Sequence, residues 1–253
     1  KKCLLNRSQT GDQRLEIFKY TFPKSADTFI NMDANMLGWL HPLTRGLSYQ
    51  SSELSINSLV ILPPENQIEI SCHGPGDMLI CCVPNVDRFL KSAEVLPSKI
   101  KILDWSVEPV LLSEFDSRRR VYLASPGLWG GIECVKGEMI YYPKGGTAPM
   151  HHHEHAEHFQ YVMEGQGIAY IDGQERLVEK GDIIYNFEFE RHWFENRETE
   201  EFSFAEFFIP GDYKTIWAKD VNVCTWLPTG KDIKGRDAVR HIAKHIAGEG
   251  QNI

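Results

Sequence analysis

Apolar and polar residues alternate with a period near two over short runs along most of the chain, and Gly, Pro and Asp-Gly pairs separate the runs. Successive strand side chains point to opposite faces, so the pattern predicts β-strands joined by tight turns. Strands are predicted at 15–22, stopped by Pro23, and then at 56–62, 67–72 and 78–83, with Pro63-Pro64 and His73-Gly74-Pro75-Gly76 between them. Their brevity indicates an antiparallel sheet. The segment 34–47, with Trp39, His41, Pro42 and Arg45, reads as a loop, and 89–100 reads as either a helix or a long loop. Two more strands follow, at KILDW and 107–113, and the charged run 114–120 marks an internal boundary.

The second half continues the strand pattern through IECVKGEMIYYP, where Met139, Tyr141 and Pro143 share one side and Ile140 and Tyr142 the other. Hairpin turns are predicted at Gly165 to Gly167, at Asp172-Gly173 and at Gly181-Asp182, because Gly tolerates the positive φ that such turns require. FSFAEFFI reads as a core strand. Beyond Pro210 the pattern changes, and 238–247 reads as a short helix that places His241 and His245 on one face, before a frayed end at 248–253. These breaks divide the chain into domains at 1–120 and 121–230 and a helical tail at 231–253.

Six of the ten histidines, at 151, 152, 153, 155, 158 and 192, fall within this second half. On an extended 150–153, His151 and His153 face the same way; after a turn through 154–157, His158, Gln160 and Val162 share a face. A barrel returns the later strand carrying His192 to that pair, so imidazoles of His151, His153, His158 and His192 converge. Neutral imidazoles suit iron, nickel, copper, zinc and manganese. Gln160 is placed to orient substrate or water, and Tyr185 to donate a proton or anchor substrate. Phe187 and Phe194 form an apolar wall, either Tyr141 or Tyr142 lines the cavity, and one of Arg118, Arg119 and Arg120 pairs with a substrate carboxylate through its donor fork.

The stretches GGTAPMHHHEHAEHFQYVMEGQG and GDIIYNFEFERHWFEN resemble the two motifs of the cupin superfamily. In the first, Gly145, His151, His153, His158 and Gly165 follow the long form of the spacing, with His158 in place of the usual Glu. The short form selects Glu157 instead, and since adjacent strand residues point oppositely, only one of the two joins the ligand set; His158 is preferred. In the second, Gly181, His192 and Asn196 fit, while Phe187 and Phe189 replace the usual Pro and Gly. The resemblance implies an all-β, double-stranded β-helix barrel. Strands at 56–83 without an HxH pair resemble a degenerate second barrel, so it implies a bicupin with short peripheral helices and metal only in the C-terminal half.

The same resemblance implies a divalent metal, Fe(II) first and Mn, Ni or Zn next. Its leading implication is a non-haem iron dioxygenase that uses dioxygen to cleave a carbon-carbon bond in a small enol, catechol-like or hydroxy-acid substrate. The alternatives are a non-oxidative lyase or isomerase acting on a small carboxylated metabolite, and a small-ligand-binding or structural bicupin. A homodimer is a further implication.

Composition narrows the partners. The 253 residues are 42% hydrophobic and 25% charged, an ordinary globular balance with core enough for one large domain or two modest ones. A formal charge of −8 and the lack of a basic recognition segment argue against nucleic acid, and no apolar run has membrane-spanning length. Six cysteines without a CxxC read as reduced thiols of a cytoplasmic protein.

Overall fold

Short alternating strands give antiparallel sheets throughout a computed structural model that describes residues 1–248 and 253. The chain forms two units, Lys1–Ser106 and Val107–Ile253. In the first, a six-stranded sheet runs in the order Lys2–Leu5, Glu16–Phe22, Gly76–Pro84, Met36–Pro42, Ser58–Leu62, Lys101–Asp104. A four-stranded sheet of Ala26–Asn31, Gln67–Cys72, Leu47–Tyr49 and Ser52–Leu54 completes it. The interior is apolar, with Leu40, Val60, Leu62, Ile70, Met78 and Ile80 in one cluster. The loop expected at 34–47 is instead largely the strand Met36–Pro42, buried at every position between two neighbours. A central strand covered on both faces need not alternate, which hides it from a period-two reading.

In the second unit an eight-stranded sheet runs Ile183–Asn186, Glu157–Glu164, Glu201–Ile209, Lys136–Pro143, Arg119–Ala124, Leu111–Ser113, Thr225–Pro228, His245–Ile246. A five-stranded sheet runs Gln174–Glu179, Gln166–Ile171, His192–Glu195, His151–Glu154, Lys214–Trp217. Tyr142, Phe194, Phe202 and Phe204 pack together in its core, with Tyr142 and Phe202 ring centroids 5.7 Å apart. Each such ring contributes about 1.5–3 kcal/mol by leaving water. Gly167 is required here, since a Cβ at that position would lie 2.5 Å from the Phe202 ring.

The break between units falls after Ser106 rather than at 120. Leu111–Ser113 pairs with both Arg119–Ala124 and Thr225–Pro228, so the charged run is a hairpin turn inside the second unit. The helix expected at 238–247 is absent: Ile242 and Ala247 enter the barrel core, and His245–Ile246 adds a strand to the larger sheet. Burial of its apolar residues against the barrel outweighs local helix propensity. In the frayed end expected at 248–253, positions 249–252 lie outside the described residues. The four-residue Pro126–Trp129 is the one α-helical turn among the described residues, and no helix there is long and apolar enough to cross a membrane.

Candidate metal centre

His151 and His153 project from the same face of His151–Glu154, and His192 stands directly opposite His151 on the neighbouring strand. Their ring centroids are 4.5–5.2 Å apart, and one nitrogen from each lies within 4.8 Å of the others. The backbone sets the tautomers. Nδ1 of His151 donates to the Pro149 carbonyl and Nδ1 of His192 to the Glu190 carbonyl, both at 2.8 Å. Nδ1 of His153 bonds the Thr215 hydroxyl at 3.2 Å. Nε2 of His151 and of His192 is thereby left as the free lone pair.

The Nε2 atoms of His153 and His192 are buried with no hydrogen-bond partner in the protein. Buried lone pairs without a donor are costly, and a divalent cation satisfies several at once. Burial holds His192 down at about 4 and pushes His153 well below the usual histidine range, so these ligands are neutral at pH 7. His151, His153 and His192 form a divalent-metal site.

The preferred fourth ligand stands beside this set. The His158 ring is 4.6 Å from that of His192 and stacks on Phe208. Its Nε2, however, lies 3.3 Å from the Asn186 amide nitrogen and 3.4 Å from Glu206 Oε1, and the converging set does not include it. Glu157, the alternative, points to the opposite face and accepts a hydrogen bond from the Tyr185 hydroxyl. Tyr185 therefore faces away from the metal site. The inward position on its strand belongs to Asn186, which pairs with His158 across the sheet.

Gln160 is fully buried on the inward face, donating to Glu206 Oε1 at 2.5 Å and accepting from Asn186 at 2.9 Å. It holds Glu206 and does not itself border the cavity. Tyr142, Phe194, Arg118 and Arg120 do border it. The other expected wall residues do not: Phe187 is exposed, Tyr141 lies beside Arg119 outside, and Arg119 pairs with Glu201. Strand alternation sends Arg118 and Arg120 inward and Arg119 outward.

Arg118 binds Asp116 through two nitrogens at 2.8 Å, and Arg120 binds Glu138 at 2.6 Å with its guanidinium 4.2 Å from the Trp226 ring. Glu138, Glu206, Phe204, Phe208, Trp217 and Trp226 also line the cavity and escaped sequence reasoning. The usable signal was Glu206, a single acid in FSFAEFFI that shares its strand face with Phe204 and Phe208. The space enclosed is small, about 30 Å³ for the centres of water-sized molecules.

Asn196 fastens the end of its strand, donating to the Tyr142 and Thr199 carbonyls at 2.9 Å.

The family model for the cupin domain matches residues 137–209, which contain all three converging histidines. A solved structure of oxalate decarboxylase superposes with a TM-score of 0.61 over 81% of this chain and 71% of that one. This is a cupin-fold, bicupin-like protein.

Sequence identity over that superposition is 12%, a likeness of fold. A deletion mutant of Bacillus subtilis oxalate decarboxylase gives a TM-score of 0.59 at 13% identity, and a structure from work on the Mn(II) centres of the same enzyme gives 0.59 at 12%, both with the same coverage of 81% and 71%. An uncharacterized protein of Methanocaldococcus jannaschii, MJ1618, is 33% identical over 63 residues, 25% of this chain and 50% of the relative. This bicupin-like chain thus spans about half the length of that curated relative.

Proposed function

We propose that the protein is a metal-dependent, non-oxidative lyase or isomerase acting on a small carboxylated metabolite. One observation carries the reading: three neutral imidazoles and two arginines surround a single small cavity. Neutral ligands leave the full charge of a divalent ion in place. Asp116 and Glu138 offset the arginines, so the surplus charge at the metal calls for an anionic ligand. Carboxylate oxygens meet that demand at both the metal and the guanidinium.

When bound, the metal supplies Lewis-acid polarisation of substrate oxygens. His151, His153 and His192 hold it, and Arg120, anchored by Glu138 and Trp226, faces a substrate carboxylate. Phe194, Phe204, Phe208 and Trp217 exclude water around the reacting atoms. The fold likeness to oxalate decarboxylase, a protein studied for its Mn(II) centres, supports manganese and a small acid.

A second reading is favoured by those same aromatic walls: His151, His153 and His192 would hold Fe(II), which would supply dioxygen chemistry on an enol or hydroxy acid. Anaerobic purification, metal analysis and turnover assays on oxalate and small hydroxy acids, with and without dioxygen, separate the two. Oxygen-independent turnover with manganese supports the lyase or isomerase. Stoichiometric iron with oxygen consumed per substrate overturns it in favour of the dioxygenase.

A further inference from the structure

Glu138 and Glu206 stand directly opposite each other on the antiparallel strands Lys136–Pro143 and Glu201–Ile209. Both are buried and both line the metal cavity. Like charges facing across a sheet repel, and burial strengthens the repulsion. The pair has unequal partners. Glu138 Oε1 accepts from Arg120 at 2.6 Å, a charged donor, whereas Glu206 Oε1 accepts from the neutral Gln160 amide at 2.5 Å.

Glu138 Oε2 is buried and receives no hydrogen bond from any N–H or O–H group of the protein. A carboxyl proton on Glu206 would give it one. Arg120 gives Glu138 a cationic partner, whereas Glu206 has only the neutral Gln160 amide, so a proton is better placed on Glu206.

We propose that Glu206 and Glu138 share one proton and that Glu206 is the acid that presents it to a carboxylate bound at the metal centre. Other charged or titratable groups face Glu206 without removing the need for that proton. Tyr142 and Tyr213 are phenols, and His158 Nε2 lies 3.4 Å away on an imidazole that burial keeps neutral. The Lys136 ammonium sits 5.0 Å from the Tyr213 ring centroid and makes no ion pair with either carboxylate among the described residues. Burial and the facing Glu138 carboxylate push Glu206 well above the usual carboxylate range.

The catalytic part rests on the lyase reading; the shared proton does not. In a decarboxylation, the bond to the departing carboxylate breaks and its electron pair stays on the remaining carbon, while carbon dioxide leaves. The Glu206 O–H bond breaks and its proton joins that carbon. Glu206 is left as a second carboxylate facing Glu138, and a proton from solvent restores the pair. One proton is consumed from water, and no oxidant or reductant is needed.

Infrared difference spectroscopy on the full chain, metal-free and Mn(II)-loaded, tests the shared proton. The expected result at neutral pH is the carbonyl stretch of a buried protonated carboxyl, shifted by deuterium exchange, lost in Glu206→Gln and retained in Glu206→Asp. Lack of the band in the wild type, or its survival in E206Q, overturns the shared proton.

Oxalate added to the Mn(II)-loaded protein, with binding followed by electron paramagnetic resonance, tests the donor role. A shift of the carboxyl band on binding is expected, together with unchanged Mn(II) occupancy in E206Q and at least a hundredfold slower decarboxylation. Bound oxalate with an unmoved band overturns the donor role. A band present and lost in E206Q, with neither oxalate nor small hydroxy acids bound, means instead that the lyase reading has failed while the shared proton stands.

Discussion

His192→Ala should erase most of the stability that metal confers, whereas His158→Ala should leave it. A ligand that binds only the folded state stabilises by RT ln(1 + [L]/Kd), about 2.7 kcal/mol at a hundredfold excess over Kd. His192 supplies one of three converging nitrogens. With a conservative hundredfold loss of affinity, the same metal concentration only equals the new Kd, and the gain falls to about 0.4 kcal/mol. For domains of this size each kcal/mol moves the midpoint by roughly 2–4 °C, so a metal-induced rise of about 5–11 °C shrinks to about 1 °C.

The assay is thermal unfolding with and without Mn(II) for wild type, H192A and H158A. Each variant is compared with its own metal-free form, so the cost of truncating a buried ring cancels. His158 presents Nε2 to Asn186 and Glu206 and lies outside the converging set, so its variant keeps the rise. An H158A protein that loses the rise as completely as H192A would falsify the three-histidine assignment and return His158 to the ligand set.

The Arg120–Glu138 pair is buried at 2.6 Å, so Arg120→Ala leaves an uncompensated carboxylate and should cost about 3–5 kcal/mol in urea unfolding; a loss below about 1 kcal/mol contradicts the pairing. Gly167→Ala drives a methyl into the Phe202 ring and should cost about 1–3 kcal/mol, read as a lowered midpoint at unchanged m-value. Burial lowers His41 to about 4, so the unfolded chain takes up its proton near 6.5 and the folded chain does not until about 4. Stability from this group is therefore complete above 6.5 and falls as pH drops towards 4, by about 1.4 kcal/mol per pH unit. His41→Phe should flatten that slope between pH 6.5 and 5, and an unchanged slope places its origin elsewhere.

The histidine cluster was legible because strand parity within a short run is dependable: His151 and His153 had to share a face, and so did His158 and Gln160. Placing Tyr185 at the site neglects parity: seven residues from His192, it falls on the opposite face and meets Glu157, whereas Asn186, six residues from His192, shares its inward face. The arginine trio was legible only as a group, since nothing local says which parity faces in. The segment 238–247 has a helical period, yet Ile242 and Ala247 are worth more in the barrel core than in a short solvated helix.

Glu138 escaped notice because KGEMIYY reads as an ordinary alternating strand with its polar residues in water. Here those residues face the barrel interior, together with Arg120.

The two units share sheet architecture and differ in what their inward positions hold. The main interior cluster of the first is made of apolar side chains that need no partner. The second places histidines, arginines and glutamates in the equivalent kind of space, where each polar atom must be satisfied. Among its unsatisfied buried atoms are His153 Nε2, His192 Nε2, Glu138 Oε2 and Arg120 Nε, all on residues that line one cavity. Two imidazole lone pairs require a cation, the carboxylate oxygen a proton, and the guanidinium nitrogen an anion. A metal ion carrying a small carboxylate, beside a protonated Glu206, meets all of these needs together, whereas a lone metal ion leaves Arg120 Nε unpaired and a lone anion leaves the histidines unpaired. The ligand chemistry inferred from charge is thus the same as that required by hydrogen bonding.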